Sequence, residues 1–461
     1  MNFTLKDVIK SLNLPTANYP NAEKIPIKGI SIDSRTVQPG DLFVAIKGQR
    51  HDSHDSLAQV AASGAVAALV ERPVAAAITQ LTVPNTIEAL GEMAKQHRAQ
   101  FLIPVIAVTG SVGKTTVKEM IVKILQKSGK NVLYSRGNFN TNITLPITLL
   151  QMTDKHHIAV IEMGARQLGD IAYLAEIAKP TIALITNIGM NHIEIFGSQE
   201  NIAKGKGELF ASLPADGTAI VWMDDPNIAP WDKKLISQKR ISVWRKAAPD
   251  ADFWIEAYQL ESDRSRFTLA SKQGRKSDSE QTNIQLPVPG EHNMINALLA
   301  AATTAAAGVS PAHIQQGLNA FRPEATGRLA IKKGRNGATI IDDTYNASPS
   351  SMLAALKVLT QQPGVPIVVM GDMFELADSA EAQHEAMGER ARALGVAHFV
   401  GFGPLSAKAV QGFGEHAIHC DSLDALLATV QALLVQYQEK AVILVKGSRG
   451  MKMERVVAGL C

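Results

Sequence analysis

The sequence predicts an α/β protein of three domains, each built around a mostly parallel sheet. Three observations carry this reading. The chain has 461 residues, which at roughly 100–200 residues per domain is room for two to four separate cores. Short uninterrupted apolar runs alternate with amphipathic helical segments, the pattern of strands covered on both faces by crossover helices. That rhythm breaks at Val83-Pro84 and restarts after Phe321-Arg322-Pro323, dividing the chain into 1–85, 86–322 and 323–461.

Composition excludes several classes. A hydrophobic fraction of 46% with 34 glycines and 21 prolines is that of a folded globular chain, not a collagen-like or disordered one. Lys and Arg number 46 against 43 Asp and Glu, so bulk charge implies neither a nucleic-acid nor a membrane partner. Aromatic residues are only 5%, which disfavours base-stacking surfaces. The basic runs 233–246 and 332–335 are expected to be solvated loops or faces. Two cysteines, Cys420 and Cys461, cannot build a disulfide framework or a thiolate metal cage, which fits a reducing compartment. The first residues alternate apolar and charged without the apolar core of a secretory signal. No run approaches the ~18 apolar residues of a membrane helix. The chain is therefore expected to be soluble and cytoplasmic.

Taken in order, the first region offers short strands at 29–32, 42–46 and 65–70 around one small helix. A polar helix over 86–100 leads to Pro104, where strands at 105–108, 158–163 and 181–186 alternate with helices. In the helix over 117–127, Val117, Met120, Ile121, Ile124 and Leu125 keep one apolar face. The polar stretch 261–285 reads as a hairpin or an excursion from the core, and 296–309 as a buried Ala-rich helix. The third region repeats the rhythm with strands at 338–341, 366–370, 397–400 and 441–445 and a helix over 421–438.

The strongest chemical signal is Thr109-Gly110-Ser111-Val112-Gly113-Lys114-Thr115-Thr116, directly after a buried strand and opening a helix. Glycines let backbone wrap closely around phosphate, and amides at the helix start point at it. Lys114 is placed to neutralise the β- and γ-phosphates of ATP, and the Thr115 hydroxyl to ligate Mg²⁺. Val108 stands where the usual phosphate-loop pattern has its first glycine. The next two strands end in Glu162-Met163-Gly164 and Thr186-Asn187, with His192 following. Ligands of open parallel sheets bind beyond these carboxyl ends. Alone, Glu162 also fits a helix cap and His192 a surface loop; beside the phosphate loop both suit a Mg²⁺–phosphate site.

Further on, Asn293 and Asn296 are three residues apart at the start of a helix, hence on one face. They fit a purine edge or, equally on spacing alone, a cap and a buried polar contact. Asp342-Asp343-Thr344-Tyr345-Asn346 at a strand end suits ribose, metal or amine contacts, or a helix cap. Lys446-Gly447-Ser448-Arg449 ends the last strand with two cations suited to an anionic group. Gly401-Phe402-Gly403 lacks the third glycine of a dinucleotide fingerprint and reads as a plain loop.

Together these residues resemble the Mur ligase family, ATP-dependent amide ligases of peptidoglycan precursor synthesis. The motifs span nearly the whole chain: Asp33-Ser34-Arg35, Pro39-Gly40-Asp41-Leu42-Phe43, the phosphate loop, Glu162-Met163-Gly164, Gly290-Glu291-His292-Asn293, Gly327-Arg328, and Asp342 through Pro349. Tyr345-Asn346-Ala347-Ser348-Pro349-Ser350, Gly371-Asp372-Met373-Phe374-Glu375-Leu376 and Lys446-Gly447-Ser448-Arg449 resemble the branch that adds the D-Ala-D-Ala dipeptide. The Asp-Asn-Pro-Arg motif of the diaminopimelate-adding branch is missing.

The resemblance implies an N-terminal domain binding UDP-MurNAc-tripeptide, a central P-loop ATPase domain and a Rossmann-like C-terminal domain. It implies that Ser34 and Arg35 help hold the uridine nucleotide and that Asn142 lies near the reacting phosphates. Asn296 would meet adenine, and Arg328 and Asp343 would reach the nucleotide across the domain seam. Lys206 matches a lysine that is carbamylated in some members. Small-molecule substrates, a monomer, and neither nucleic acid nor membrane insertion are further expectations. Ser53, Ala377 and the run Asn140-Thr141-Asn142-Ile143-Thr144 depart from the family pattern. The competing readings are a sister ligase adding a single amino acid, a folylpolyglutamate synthetase, and a P-loop protein that binds ATP without ligation. The uridine-type first domain weighs against the second, and the acid, the histidine and a complete third domain against the last.

Overall fold

The computed structural model describes residues 3–48, 51–228, 231, 235, 237–272, 279–324 and 327–461. Lys233, in the first basic run, lies outside them. Among the described residues the strands form four sheets. Phe3–Thr4 and Pro26–Ile27 pair antiparallel. Gly29–Ser31, Asp41–Val44, Ala67–Val70 and Thr79–Thr82 make a four-stranded parallel sheet.

The alternation along those short strands decides how the first sheet docks. Leu42, Val44, Ala67 and Leu69 face a core that continues through Leu90 and Met93 into the central sheet. Phe43, Ala68 and Val70 pack on the other face with Leu57 and Val60 of the small helix. The bridging helix Thr86–Arg98 starts on Asn85, whose side-chain oxygen accepts from the amides of Ile87 and Glu88. Its Arg98, buried, donates to the carbonyl oxygens of Ala178, Phe101 and Ile103. The first two sheets thus share one apolar core.

The central sheet has nine strands among the described residues. Val132–Tyr134, Ile158–Glu162, Val105–Thr109, Ile182–Ile185, Thr218–Trp222 and Lys239–Val243 lie side by side and parallel. Phe253–Leu260 extends them, and Ser265–Ser271 and Glu280–Leu286 close the edge antiparallel. The polar stretch 261–285, expected as a hairpin or a mobile excursion, takes the hairpin form: it supplies the two antiparallel edge strands, with 273–278 outside the described residues. Phe267 and Ile284 are buried between polar neighbours, and the run from Leu269 to Ser271 is buried throughout. Local hydrophobicity averages low in such a pair because one face meets water. Lys239–Val243, inside the first basic run, is likewise a strand.

The C-terminal sheet runs Ala330–Lys333, Thr339–Asp342, Ala441–Lys446, Val365–Gly371, His398–Phe402, Ala417–Cys420, antiparallel only at the first pair. Its two faces carry separate cores, one around Ile341, Val368 and Leu444, the other around Ile340, Val369 and Ile443. Lys332, expected in a solvated run, is a strand residue whose Nζ donates to Asp342 Oδ2 at 2.7 Å. Helices Ala380–Ala393 and Ser406–Phe413 cross closely because Gly388 and Gly412 present no side chain. A Cβ at Gly388 would overlap the Ala409 carbonyl, and one at Gly412 the Glu385 carbonyl. This domain meets the central one through polar contacts: Glu324 N to Glu119 Oε2 at 3.2 Å and Gln362 Nε2 to Ser262 O at 2.6 Å.

Candidate active site

The strand Val105–Thr109 lies between Ile158–Glu162 and Ile182–Ile185, with Val108 opposite Glu162 and Thr109 opposite Ile185. Residues far apart in sequence therefore end side by side at the carboxyl edge of the sheet, where open α/β folds bind ligands. A cavity of about 500 Å³ opens there, walled by the phosphate loop, Glu162, Thr186 to His192, the start of Glu291–Ala306 and the Asp343 to Ser351 segment. It spans the seam between the central and C-terminal domains.

The loop needs its glycines. Gly110 holds φ +144 and Gly113 φ +81; a Cβ on the first would overlap Thr186 Oγ1, and one on the second would stand 2.7 Å from Asn296 Oδ1. Val112 is pinned by Thr186 Oγ1, which donates to its carbonyl at 2.6 Å, and by Asn187 Oδ1, which accepts from its amide at 3.0 Å. Lys114 Nζ donates to the carbonyls of Gly110 at 2.7 Å and Ser111 at 3.1 Å. Burial pulls its pKa below the usual lysine value, partly opposed by the charge of Glu162.

Glu162 is 1% exposed. Its Oε1 accepts from Asn140 Nδ2 at 2.7 Å, while Oε2 has no hydrogen-bond partner and lies 3.7 Å from Lys118 Nζ. Thr115 Oγ1 accepts from Arg328 at 3.0 Å. The Arg328 guanidinium stacks 4.2 Å from the Tyr345 ring centre, and its buried Nε has no partner. Asp343 accepts from Leu329 N at 3.1 Å and pairs with buried Lys446 at 2.6 Å; Lys446 also donates to the Asn346 carbonyl at 2.7 Å. This pairing follows from strand order, since Thr339–Asp342 and Ala441–Lys446 are neighbours.

The structure thus brings Ser111 to Thr116, Glu162, His192, Asn296, Arg328, Asp343, Tyr345, Asn346 and Lys446 to one cleft, while Thr109 and Gly110 stand outside its lining, the Thr109 hydroxyl donating to the Met163 carbonyl. Asn293 joins them, donating to Pro289 O and accepting from Asn296. Other expectations are met differently. Asn142 is exposed and outside the cavity wall; Asn140, two residues earlier, occupies the position beside Glu162. His192, expected to face a metal, sits in left-handed backbone (φ +63) with Nδ1 2.5 Å from Glu375 Oε2 of the C-terminal domain. This close contact with the imidazole holds the Glu375 carboxyl below its usual range.

Lys206 lies beneath the cleft, 2% exposed and 6.0 Å from the Phe196 ring centre, with its pKa lowered to about 7 by burial and then by the charge of Lys114. Ser34 and Arg35 are on the loop after Gly29–Ser31, outside this cavity, with Arg35 paired to Asp33 at 2.5 Å. Arg449 lines a second cavity of about 540 Å³ with Lys332, Asp342 and Tyr345 and pairs with Glu454 at 3.3 Å. The near-fingerprint at Gly401 is closed to phosphate: the Asp372 carboxylate already takes the amide and hydroxyl of Ser406, each at 2.7 Å.

Sequence reasoning missed Lys118, Asn140 and His292. Lys118 reads as an ordinary helical lysine four residues after Lys114. His292 lines the cleft, with burial lowering its pKa to about 4. Among the described residues no group of three or more His, Cys, Asp and Glu side chains is placed to hold a metal by itself. A divalent ion still fits, because the orphaned Glu162 Oε2 and the Thr115 hydroxyl are oxygen ligands of the kind Mg²⁺ combines with phosphate oxygens.

Known proteins match along the whole length. Residues 26–98 match the model described as Mur ligase family, catalytic domain; 108–304 match Mur ligase middle domain; 327–449 match Mur ligase, glutamate ligase domain. The chain is 40% identical over 440 residues to a UDP-N-acetylmuramoyl-tripeptide–D-alanyl-D-alanine ligase of Escherichia coli, spanning 95% of this chain and 94% of that one. A ligase of the same name from Bacillus subtilis is 33% identical, with 99% and 98% covered. Among solved structures the chain is similar to MurF from Acinetobacter baumannii, with a TM-score of 0.90, 35% identity, and 99% and 98% covered. It is also similar to a MurF ligase from Thermotoga maritima in complex with ADP, at a TM-score of 0.81, 26% identity, and 94% and 97% covered.

Proposed function

The chain belongs to the Mur ligase family, and from that premise we infer that it joins D-Ala-D-Ala to UDP-MurNAc-tripeptide, giving UDP-MurNAc-pentapeptide, ADP and phosphate. A carboxylate is inert toward an amine in water. ATP therefore phosphorylates the tripeptide's terminal carboxyl, the dipeptide amine attacks the acyl phosphate, and the tetrahedral intermediate expels phosphate. The protein's part is positioning and neutralising charge.

The roles assigned to residues follow from where their donors point. The observation that carries them is the cleft itself: a P-loop lysine, a seam-crossing arginine held on the Thr115 hydroxyl, and a buried carboxylate oxygen without a hydrogen-bond partner line one cavity. Lys114 exchanges loop carbonyls for the β- and γ-phosphates, and the amides of Gly110 to Thr116 cradle them. Arg328, from the third domain, adds positive charge where the transferred phosphoryl develops negative charge. Thr115 and Glu162 would hold Mg²⁺, and His192 would join them on release from Glu375; the bound ion supplies charge neutralisation at the phosphates. Asn296 reads adenine, Asp343 reaches the nucleotide, and Tyr345 and Asn346 bind substrate together with Lys446 and Arg449, whose cations suit its anionic groups. Ser34 and Arg35 hold the uridine nucleotide on residues 1–85, while 86–322 bind ATP and 323–461 close over it. Closure excludes water from an acyl phosphate that would otherwise hydrolyse.

Lys206, with its pKa lowered to about 7 and so half neutral at pH 7, is suited to carbamylation. We place the enzyme in the cytoplasm as a monomer; among the described residues no helix is long and apolar enough to cross a membrane. The test is phosphate release from Mg-ATP. Release requiring both UDP-MurNAc-tripeptide and D-Ala-D-Ala is expected; release with a single amino acid, or with no acceptor, overturns the reading.

A further inference from the structure

Lys118 is a buried cation with no role in the chemistry above. It lies one helical turn beyond Lys114 in Lys114–Lys127, is 1% exposed, and is absent from the cavity wall. A lysine buried that deeply costs several kcal/mol unless its charge is compensated. Its Nζ donates to the Gly137 carbonyl at 3.1 Å and stands 3.7 Å from Glu162 Oε2, too far to occupy that oxygen's lone pairs. Glu162 makes no other ion pair among the described residues. Lys114 is close enough to feel its charge but spends its protons on the Gly110 and Ser111 carbonyls.

The groups hydrogen-bonded to Glu162 are neutral and stitch the 135–140 loop to it. Ser135 Oγ accepts from Glu162 N at 3.1 Å, Asn140 donates to Oε1 at 2.7 Å, and the Asn140 carbonyl accepts from Gly164 N at 2.8 Å. Lys118 holds the same loop from the helix side through Gly137, which has the left-handed φ of +52. One oxygen of the carboxylate is fixed by an amide, the other is left open, and a positive charge waits nearby without filling it.

We propose that Lys118 is a positioning residue acting as the resident counter-ion of Glu162, keeping the carboxylate aimed and tied to the 135–140 loop whenever no divalent ion is bound. This rests on the reading that Glu162 faces Mg²⁺. An ion that leaves between turnovers would otherwise abandon a buried, uncompensated carboxylate beside the phosphate loop.

The experiment uses the full chain and thermal unfolding, with millimolar MgCl₂ plus ADP against ADP plus EDTA. For Lys118→Met the divalent ion takes over a compensation that lysine supplies in the wild type. The rise in Tm on adding Mg²⁺ should exceed the wild-type rise by about 3 °C or more, and Lys118→Met/Glu162→Gln, which removes both charges, should lose that excess. An equal fall in Tm with and without Mg²⁺ overturns the proposal, because packing alone would do that. Should Lys118→Met not fold, folding of the double variant supports the proposal and its failure to fold overturns it. Glu162→Gln alone tests the underlying reading separately. If Mg²⁺-dependent ADP binding is unchanged in that variant, the metal assignment falls rather than the counter-ion.

Discussion

Lys206 offers the prediction with the largest leverage. It occupies the helix Gln199–Ala211 with 2% exposure, and burial, helped by the charge of Lys114, brings its pKa to about 7. Only the neutral amine attacks CO₂. At pH 8 a group of pKa 7 is about 90% neutral, whereas an ordinary lysine at about 10.4 is neutral in only about 0.4% of molecules. The site therefore has a roughly 200-fold advantage over the surface lysines in forming a carbamate. The perturbation is equilibration with ¹³C-labelled bicarbonate at pH 8, for the wild type and Lys206→Met, read by carbon NMR. One carbamate resonance is expected, absent from the variant and from wild type held near pH 6, where the amine is mostly protonated. No resonance at pH 8, or one that persists in Lys206→Met, refutes the reasoning. The same depressed pKa has a consequence for stability in the unmodified protein. Between pH 7 and the unfolded value of 10.5 the unfolded chain binds the extra proton. The folded state therefore gains stability as pH rises through that window, and the desolvation cost is fully present below pH 7. Lys206→Met should flatten that slope in denaturant titrations.

Lys114→Ala should lower ligation by about 10²–10³-fold or more, read by phosphate release, while calorimetric titration with the uridine nucleotide stays close to wild type because that site lies in the first domain. Gly110→Ala forces a Cβ into left-handed backbone and into Thr186 Oγ1, breaking its bond to Val112. A cost of about 2–4 kcal/mol is expected in the urea midpoint, and an unchanged midpoint would contradict the loop geometry. Ala377 holds φ +47, where a non-glycine residue is strained by about 1 kcal/mol. Ala377→Gly should therefore stabilise slightly, by about 0.5 kcal/mol after the added unfolded-state entropy; a lowered Tm would show the strain is absent.

Much of the fold was legible because it is local. The phosphate loop, its strand and its helix are adjacent in sequence, so glycine, lysine and threonine in register suffice to specify them. The strand ends carrying Glu162, Asn187 and Asp343 could be read from apolar runs of four to five residues stopping at polar ones. Partnerships were not legible. Asn140 and Asn142 lie two residues apart on one loop, and only the ladder bringing Ile158–Glu162 beside the P-loop strand selects Asn140. Lys118 has the spacing of a solvated helical lysine and becomes a buried counter-ion only because Glu162 arrives from 44 positions along the chain. Glu375 meets His192 across two domains, a contact decided by how the sheets dock. The amino-acid sequence by itself determined which chemistry was present and on which strand ends, because periodicity and turn geometry act over a few residues. Tertiary structure alone decided which charged groups meet, which hydroxyl is taken and which carboxylate oxygen stays open. Coulombic and hydrogen-bond energies depend on distances that strand order, not sequence neighbourhood, sets.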